Sequence, residues 1–329
     1  KSKYADGVLF HSKAGYLKIG NDYRFCPFSV ELGLEMASTF GGTAYRPAGN
    51  GEMEAVKNSS GLKAMWQALL PGGADATETT YQNFEGNQLG SWLIRLNYKG
   101  NTWGMSVYAD KFFEDHSAMF QLDYDGYGTG EEWNVRKKRR YMLYDFKDMM
   151  LGVEVNLYTG RWLRNIVFEY LYTKYQSGPV YHDHTKSISE HIGGNDNFYN
   201  HSIFTGWQHW GQVIGNPLYS SPVYNEDGEI RVADSRFMAF HLGVDGDITE
   251  NLSYRFLGTW QEGLGTYDRP FTKKKNNSSF MVEAKYVFPE AGRMSGWSVR
   301  GAYAMDFGRI LGDNNGFQLT ISKSGLFSL

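Results

Sequence analysis

The sequence has a single cysteine, Cys26, among 329 residues. One thiol excludes an internal disulfide and a cysteine-based metal framework, and Cys26 reads as a partly buried free thiol. No run of about 18 apolar residues occurs, so no transmembrane helix is predicted. A surplus of charge is also missing. Lys and Arg total 33 against 36 Asp and Glu, a net charge of −3, which leaves no basic excess for nucleic acid. The patterns G-x-S-x-G and H-E-x-x-H are absent, and no nucleophile stands beside a base at a recognisable spacing. The reading is non-enzymatic, with no cofactor.

What is present is aromatic surface and glycine. Tyr, Phe and Trp number 23, 21 and 9, and there are 39 Gly. That composition suits strands with aromatic ends joined by glycine-containing turns. Alternation runs through the chain. Phe28, Val30, Leu32, Leu34 and Met36 share one face, with Ser29, Glu31, Gly33 and Glu35 on the other. Trp92, Ile94, Leu96 and Tyr98 repeat the pattern, as do Ile166, Phe168, Tyr170 and Tyr172, then Met238, Phe240, Leu242 and Val244. Period two over so many segments predicts antiparallel strands with one apolar and one polar face. Eleven strands are predicted, at 12–19, 28–40, 91–98, 102–113, 147–158, 162–175, 236–247, 250–262, 279–288, 296–307 and 315–324.

The loops separate a soluble sandwich from a membrane barrel. Short connections fall at 20–27, 99–101, 159–161, 246–250, 289–295 and 308–314. Long ones fall at 41–90, 114–146, 176–235 and 263–278. All the short ones but the last fit one rim, and the long loops fit the other, as in an outer-membrane barrel. Such long loops are unusual in a compact soluble domain. The predicted fold class is therefore all-β: an antiparallel transmembrane outer-membrane β-barrel with long extracellular loops, plugged, in a single domain over 1–329. Its apolar face would meet lipid. Its polar face, with Glu31, Glu35, Arg95, Glu154, Glu169, His241, Arg255, Glu283, Lys285 and Arg300, would line a lumen. An odd number of strands cannot close an antiparallel seam, which predicts a missed strand or an absent N-terminal portion.

Several motifs carry a resemblance. GGNDNFYNHSIFTGWQHWGQVIGNPLYSSPVYNEDGEIR, then SRFMAFHLGV, EGNQLGSW at 85–92, YQSGP at 175–179, GTYDRP at 265–270 and the ending GDNNGFQLTISKSGLFSL form an ordered set. The set resembles the Wzi-like capsule-assembly family of Gram-negative outer membranes, of Bacteroidetes type. The resemblance implies a large barrel in the outer membrane that binds or anchors surface polysaccharide and assists capsule assembly. It also implies that family members extend further at the N-terminus. The implied partners are surface polysaccharide, outer-membrane lipid or lipopolysaccharide, and other envelope proteins. A porin-like saccharide diffusion channel and a structural envelope scaffold are the alternatives.

The stretch 193–218 contains five aromatic residues, two histidines and five glycines without helix or strand period. Tyr199, Trp207, Trp210 and Tyr219 offer flat rings to the C–H faces of sugars, and Asp196 and His209 offer hydrogen bonds to hydroxyls. The competing expectation is that these rings pack on one another and fill the barrel. Arg136, Lys137, Lys138, Arg139 and Arg140 form a basic run that is either a solvated loop or a contact for acidic glycan through charge-assisted bonds. His182, Asp183, His184, His191 and His201 have no diagnostic ligand spacing, and no metal is assigned. Residues 60–72 place Leu62, Met65, Trp66 and Leu69 at helical spacing before Pro71, which predicts a short amphipathic helix over the barrel mouth or in contact with lipid.

Overall fold

The computed structural model describes residues 4–20, 26–48, 52–69, 86–114, 122–124, 139–141, 147–176 and 197–325. The strands are β1 (Asp6–Gly20), β2 (Phe28–Pro47), β3 (Met53–Lys57), β4 (Asn87–Lys99), β5 (Trp103–Glu114), β6 (Leu122–Tyr124), β7 (Arg139–Tyr141) and β8 (Met149–Leu157). They continue as β9 (Asn165–Tyr172), β10 (Gln208–His209), β11 (Gln212–Val213), β12 (Phe237–Asp247), β13 (Leu252–Gly265), β14 (Pro270–Val287), β15 (Trp297–Gly308) and β16 (Asn314–Lys323). One helix of two turns, α1 (Leu62–Leu69), follows β3.

Twelve strands form one antiparallel sheet in the order β1-β2-β4-β5-β8-β9-β12-β13-β14-β15-β16, with β3 hydrogen-bonded to β2. The eleven strands along that path are the eleven that the alternation predicts. The fold class is as expected: all-β and antiparallel, with the up-and-down order of an outer-membrane barrel. Among the described residues β1 and β16 are the two edges, and with eleven strands between turns they point the same way.

Pairing register separates the two faces cleanly. One row across the sheet reads Leu17, Leu32, Ile94, Ala109, Leu151, Tyr170, Phe240 and Trp260. The next row reads Lys18, Glu31, Arg95, Tyr108, Gly152, Glu169, His241 and Thr259. A slip of one residue would exchange the two sets. The apolar side chains are the exposed ones: Ile94, Leu151, Phe168, Leu242, Val282 and Leu319 each stand more than 40% open. A soluble domain rarely leaves an apolar surface of this extent uncovered.

Aromatic rings collect where the short turns lie. Phe28 opens β2 and meets Tyr98 at the end of β4, 5.3 Å between ring centres. Tyr98 in turn meets Trp103 at the start of β5, 4.9 Å away. Tyr286, Phe288 and Trp297 sit at the same rim, on the β14–β15 turn. A ring of aromatic side chains at the edge of an apolar band is the arrangement that the membrane interface favours.

One expected loop is not a loop. The segment 263–278 is mostly β14, and the connection after Gly265 is a tight turn closed at Pro270. The ladder runs on through Gly263↔Lys275 and Gln261↔Asn277. Lys273 to Ser279 is polar on both faces, so period two vanishes although the strand continues. The first long loop is likewise partly structured, by the end of β2, by β3 and by α1.

Candidate functional site

The polar face carries linked side chains instead of isolated charges. Arg95 pairs with Glu154 and donates to Asn97 Oδ1 at 2.9 Å and Ser106 Oγ at 3.0 Å. Asn97 donates to Glu31 Oε1 at 2.8 Å, and Lys18 stands 3.5 Å from the same oxygen. Tyr108 donates to Glu169 at 2.6 Å. Further along, Arg255 meets Glu283 at 3.1 Å and Arg300 approaches it at 3.8 Å. Every polar-face residue named from the sequence falls on this face by register. Ordered charges of both signs, still partly exposed, suit a wet surface.

At the long-loop end of the same face lies the segment 197–236. Phe198, Tyr199, Trp207, Tyr219 and Val232 form a buried cluster with Leu171, Phe237 and Ala239 of the sheet, flanked by Ala37, Leu89, Phe112 and Met150. By register these sheet residues belong to the polar face, so the segment lies across five neighbouring strands and the next. Tyr199 and Tyr219 stack at 3.8 Å, and Tyr219 meets Phe237 edge-on at 5.0 Å. Burial raises the Tyr199 phenol to about 12 and pushes Tyr219 upward as well.

Polar side chains tie the segment down. Glu114 accepts the Tyr199 N–H at 2.8 Å. Gln176 accepts the Phe198 N–H at 2.9 Å and donates to Ser235 O at 2.6 Å. Asn200 both donates to Val232 O at 2.9 Å and accepts from its N–H at 2.8 Å, so a side-chain amide mimics a strand pair. His201 Nδ1 accepts the N–H groups of Ile203 at 3.0 Å and Phe204 at 3.2 Å. Burial pulls this imidazole down to about 4. Asp234 accepts the Gly265 N–H at 2.9 Å, yet burial outweighs that bond and lifts its carboxyl to about 7. The far side is fastened to the N-terminal residues, through Tyr4 to Ile230 O at 2.7 Å and Ala5 N–H to Ile203 O at 2.8 Å.

One part of the segment faces outward. β10 and β11 form a hairpin whose turn is Trp210–Gly211, with φ of 52° and 76°. Positive φ is the geometry of a two-residue hairpin turn and is strained for a tryptophan. Trp210 is 88% exposed, and His209 stands edge-on to it at 6.0 Å. Ile214, Val223 and Tyr224 are exposed nearby in the chain.

The structure thus divides the sequence-predicted residues. Tyr199, Trp207 and Tyr219 have their faces covered by protein, at 6%, 6% and 3% exposure. Trp210 and His209 remain open. Asp196 and Arg136, Lys137 and Lys138 lie outside the described residues, and Arg139 and Arg140 begin β7, opposite Tyr124 and Asp123. His201 is the one member of the histidine group described, and it serves the local turn. Among the described residues no cluster could hold a metal. Glu114, Gln176, Asn200 and Asp234 were not singled out from sequence; their partners lie 85, 22, 32 and 31 positions away.

No family model matches the chain, and no curated protein matches it. Among solved structures, the crystal structure of Pseudomonas aeruginosa OccK10 (OpdN) is similar over 97% of each chain, at 10% identity and a TM-score of 0.31.

Proposed function

We propose that the chain forms the wall of a Gram-negative outer-membrane β-barrel whose polar interior passes or holds saccharide-class solutes, with the segment 197–236 narrowing it. The observation that carries this reading is the contrast between the two faces of one sheet. Open aliphatic and aromatic side chains cover one face, and paired charges with a folded-in segment cover the other. An apolar exterior bounded by aromatic rings suits lipid, and a polar interior suits water. The role is passive: the polar groups orient and select by hydrogen bonding. Single-channel recording in planar bilayers tests it. Stepwise conductance that falls when oligosaccharide is added supports the passage. Total silence of the folded protein sinks it.

A second reading is favoured by a specific feature, the open Trp210–His209 pair. A rigid exposed ring beside a hydrogen-bonding imidazole suits retention of surface polysaccharide, the role implied by the resemblance to the Wzi-like family. The basic run 136–140 would then meet acidic glycan or lipopolysaccharide phosphate, and other envelope proteins would be partners. A silent barrel that retains glycan in a pull-down supports this second reading over the first.

A further inference from the structure

Helix α1 is built inside out. Its buried residues are the small ones, Ala64 and Ala68, both at 0% exposure against Phe40. Three of its large apolar residues face away from the protein: Leu62 is 86% exposed, Trp66 61% and Met65 52%. A surface helix of a soluble protein places those groups the other way round.

Its place on the sheet gives this meaning. Phe40 and Ser38 lie on the apolar face of β2, in register with Phe28, Leu32 and Met36. The Ser38 hydroxyl donates to Ala68 O at 3.2 Å, and Lys13, from the same face of β1, donates to the carbonyls of Ala68 and Leu69. Two side chains of the outer face therefore cap the helix C-terminus, where carbonyls lack partners. At this level a polar row, His11, Ser38 and Gln88, crosses the apolar face, and the helix covers it together with Phe40 of the next row, paired with Leu9. Ser38 is ten residues along β2 from Phe28 of the aromatic rim. At about 3.3 Å per residue and a tilt of about 40°, that separation is about 25 Å, the height of an outer-membrane apolar band.

We infer that α1 is a lipid anchor at the acyl–headgroup boundary of the leaflet opposite the aromatic rim. Trp66, Met65 and Leu62 enter the upper acyl region, and exposed Lys63 faces the phosphates. The helix continues the apolar face of the sheet outward as a collar. The inference rests on the membrane reading above, so its test includes a reporter for that reading.

The test uses the full chain in phospholipid vesicles, with Cys26→Ser removing the one native, exposed thiol. Single cysteines from Met65→Cys and Leu242→Cys carry an environment-sensitive fluorophore. Quenching is measured with lipids bearing a nitroxide high or low on the acyl chain, and with aqueous iodide. The probe at 65 is expected to be quenched several-fold more by the shallow nitroxide than by the deep one, and little by iodide. The probe at 242 is expected to prefer the deep nitroxide. Iodide quenching at 65 with lipid quenching at 242 overturns the anchor and leaves the barrel standing. Iodide quenching at both overturns the two together. If the position 65 variant does not fold, Leu62→Cys, at the most open large apolar residue of the helix, replaces it with the same expected outcomes.

Discussion

Tyr108 reaches over Gly152 to donate a 2.6 Å hydrogen bond to Glu169, joining β5 to β9 across the strand between them. A Cβ at position 152 would overlap the Tyr108 ring. Gly152→Ala is therefore expected to expel the ring and lower stability by about 1–3 kcal/mol, as overfilling a packed site does. Tyr108→Phe keeps the ring and loses a bond to a charged acceptor, for about 1.5–3 kcal/mol. Denaturant titration of the folded protein in detergent measures both. A neutral Gly152→Ala would refute the socket.

The two faces predict opposite responses from adjacent positions. Phe168→Arg puts a charge on the apolar face and is expected to cost about 2–4 kcal/mol near the membrane midplane. Glu169→Gln leaves an acceptor for Tyr108 on the polar face and is expected to be tolerated far better. Heat-modifiable gel migration reports the folded fraction. Equal losses would mean that the faces are assigned wrongly.

Trp207 and Trp210 are three residues apart and are expected to behave as different kinds of residue. Trp207→Ala removes a buried ring and is expected to cost about 3–5 kcal/mol. Trp207→Phe is milder, because the indole N–H has no acceptor among the described residues. Trp210→Ala keeps the positive φ at that position and is expected to leave folding unchanged, while weakening saccharide binding. Folded yield and glycan affinity, measured on the same preparations, separate the two.

Two desolvated groups, a half-buried imidazole and a buried carboxyl, give the segment 197–236 opposed pH responses. His201 has its pKa lowered to about 4, so its contribution is whole above the ordinary value near 6.5 and is lost as pH falls through about 4. Asp234 has its pKa raised to about 7, so its contribution is whole below the ordinary value near 3.8 and is lost as pH rises through about 7. Asp234→Asn is expected to slow amide exchange in the segment at pH 8 relative to the parent, with little difference at pH 4. His201→Asn, which keeps an acceptor, is expected to remove the acid-side loss. Exchange rates of the Ile203 and Phe204 amides at several pH values check both.

Strands were legible where one face was apolar, because burial in lipid or protein writes period two into the sequence. The first half of β14 was not, since Lys273 to Ser279 is polar on both faces, even where Asn277 is buried, and leaves no alternation to read. The aromatic density of 193–218 was legible as a feature, but its division was not. A Trp–Gly hairpin turn lacks the usual Asn–Gly or Asp–Gly signature, so nothing in the sequence marks Trp210 as open and Trp207 as covered. The clamps escaped for a different reason: a pair such as Asn200 and Val232 is a product of chain path, which local pattern does not encode.

The glycine under Tyr108 has counterparts, with the Phe113 ring over Gly90 and the Tyr158 hydroxyl over Gly104. Each couples a ring on one strand, or just past its end for Tyr158, to a gap at one position of its neighbour. A strand pair, β4–β5 or β5–β8, aligned one residue out of step would press these rings against side chains and turn every apolar group to the wrong side. Errors of alignment are thus penalised at scattered points along the strands, by steric mismatch on both faces and independently of how much apolar surface is covered.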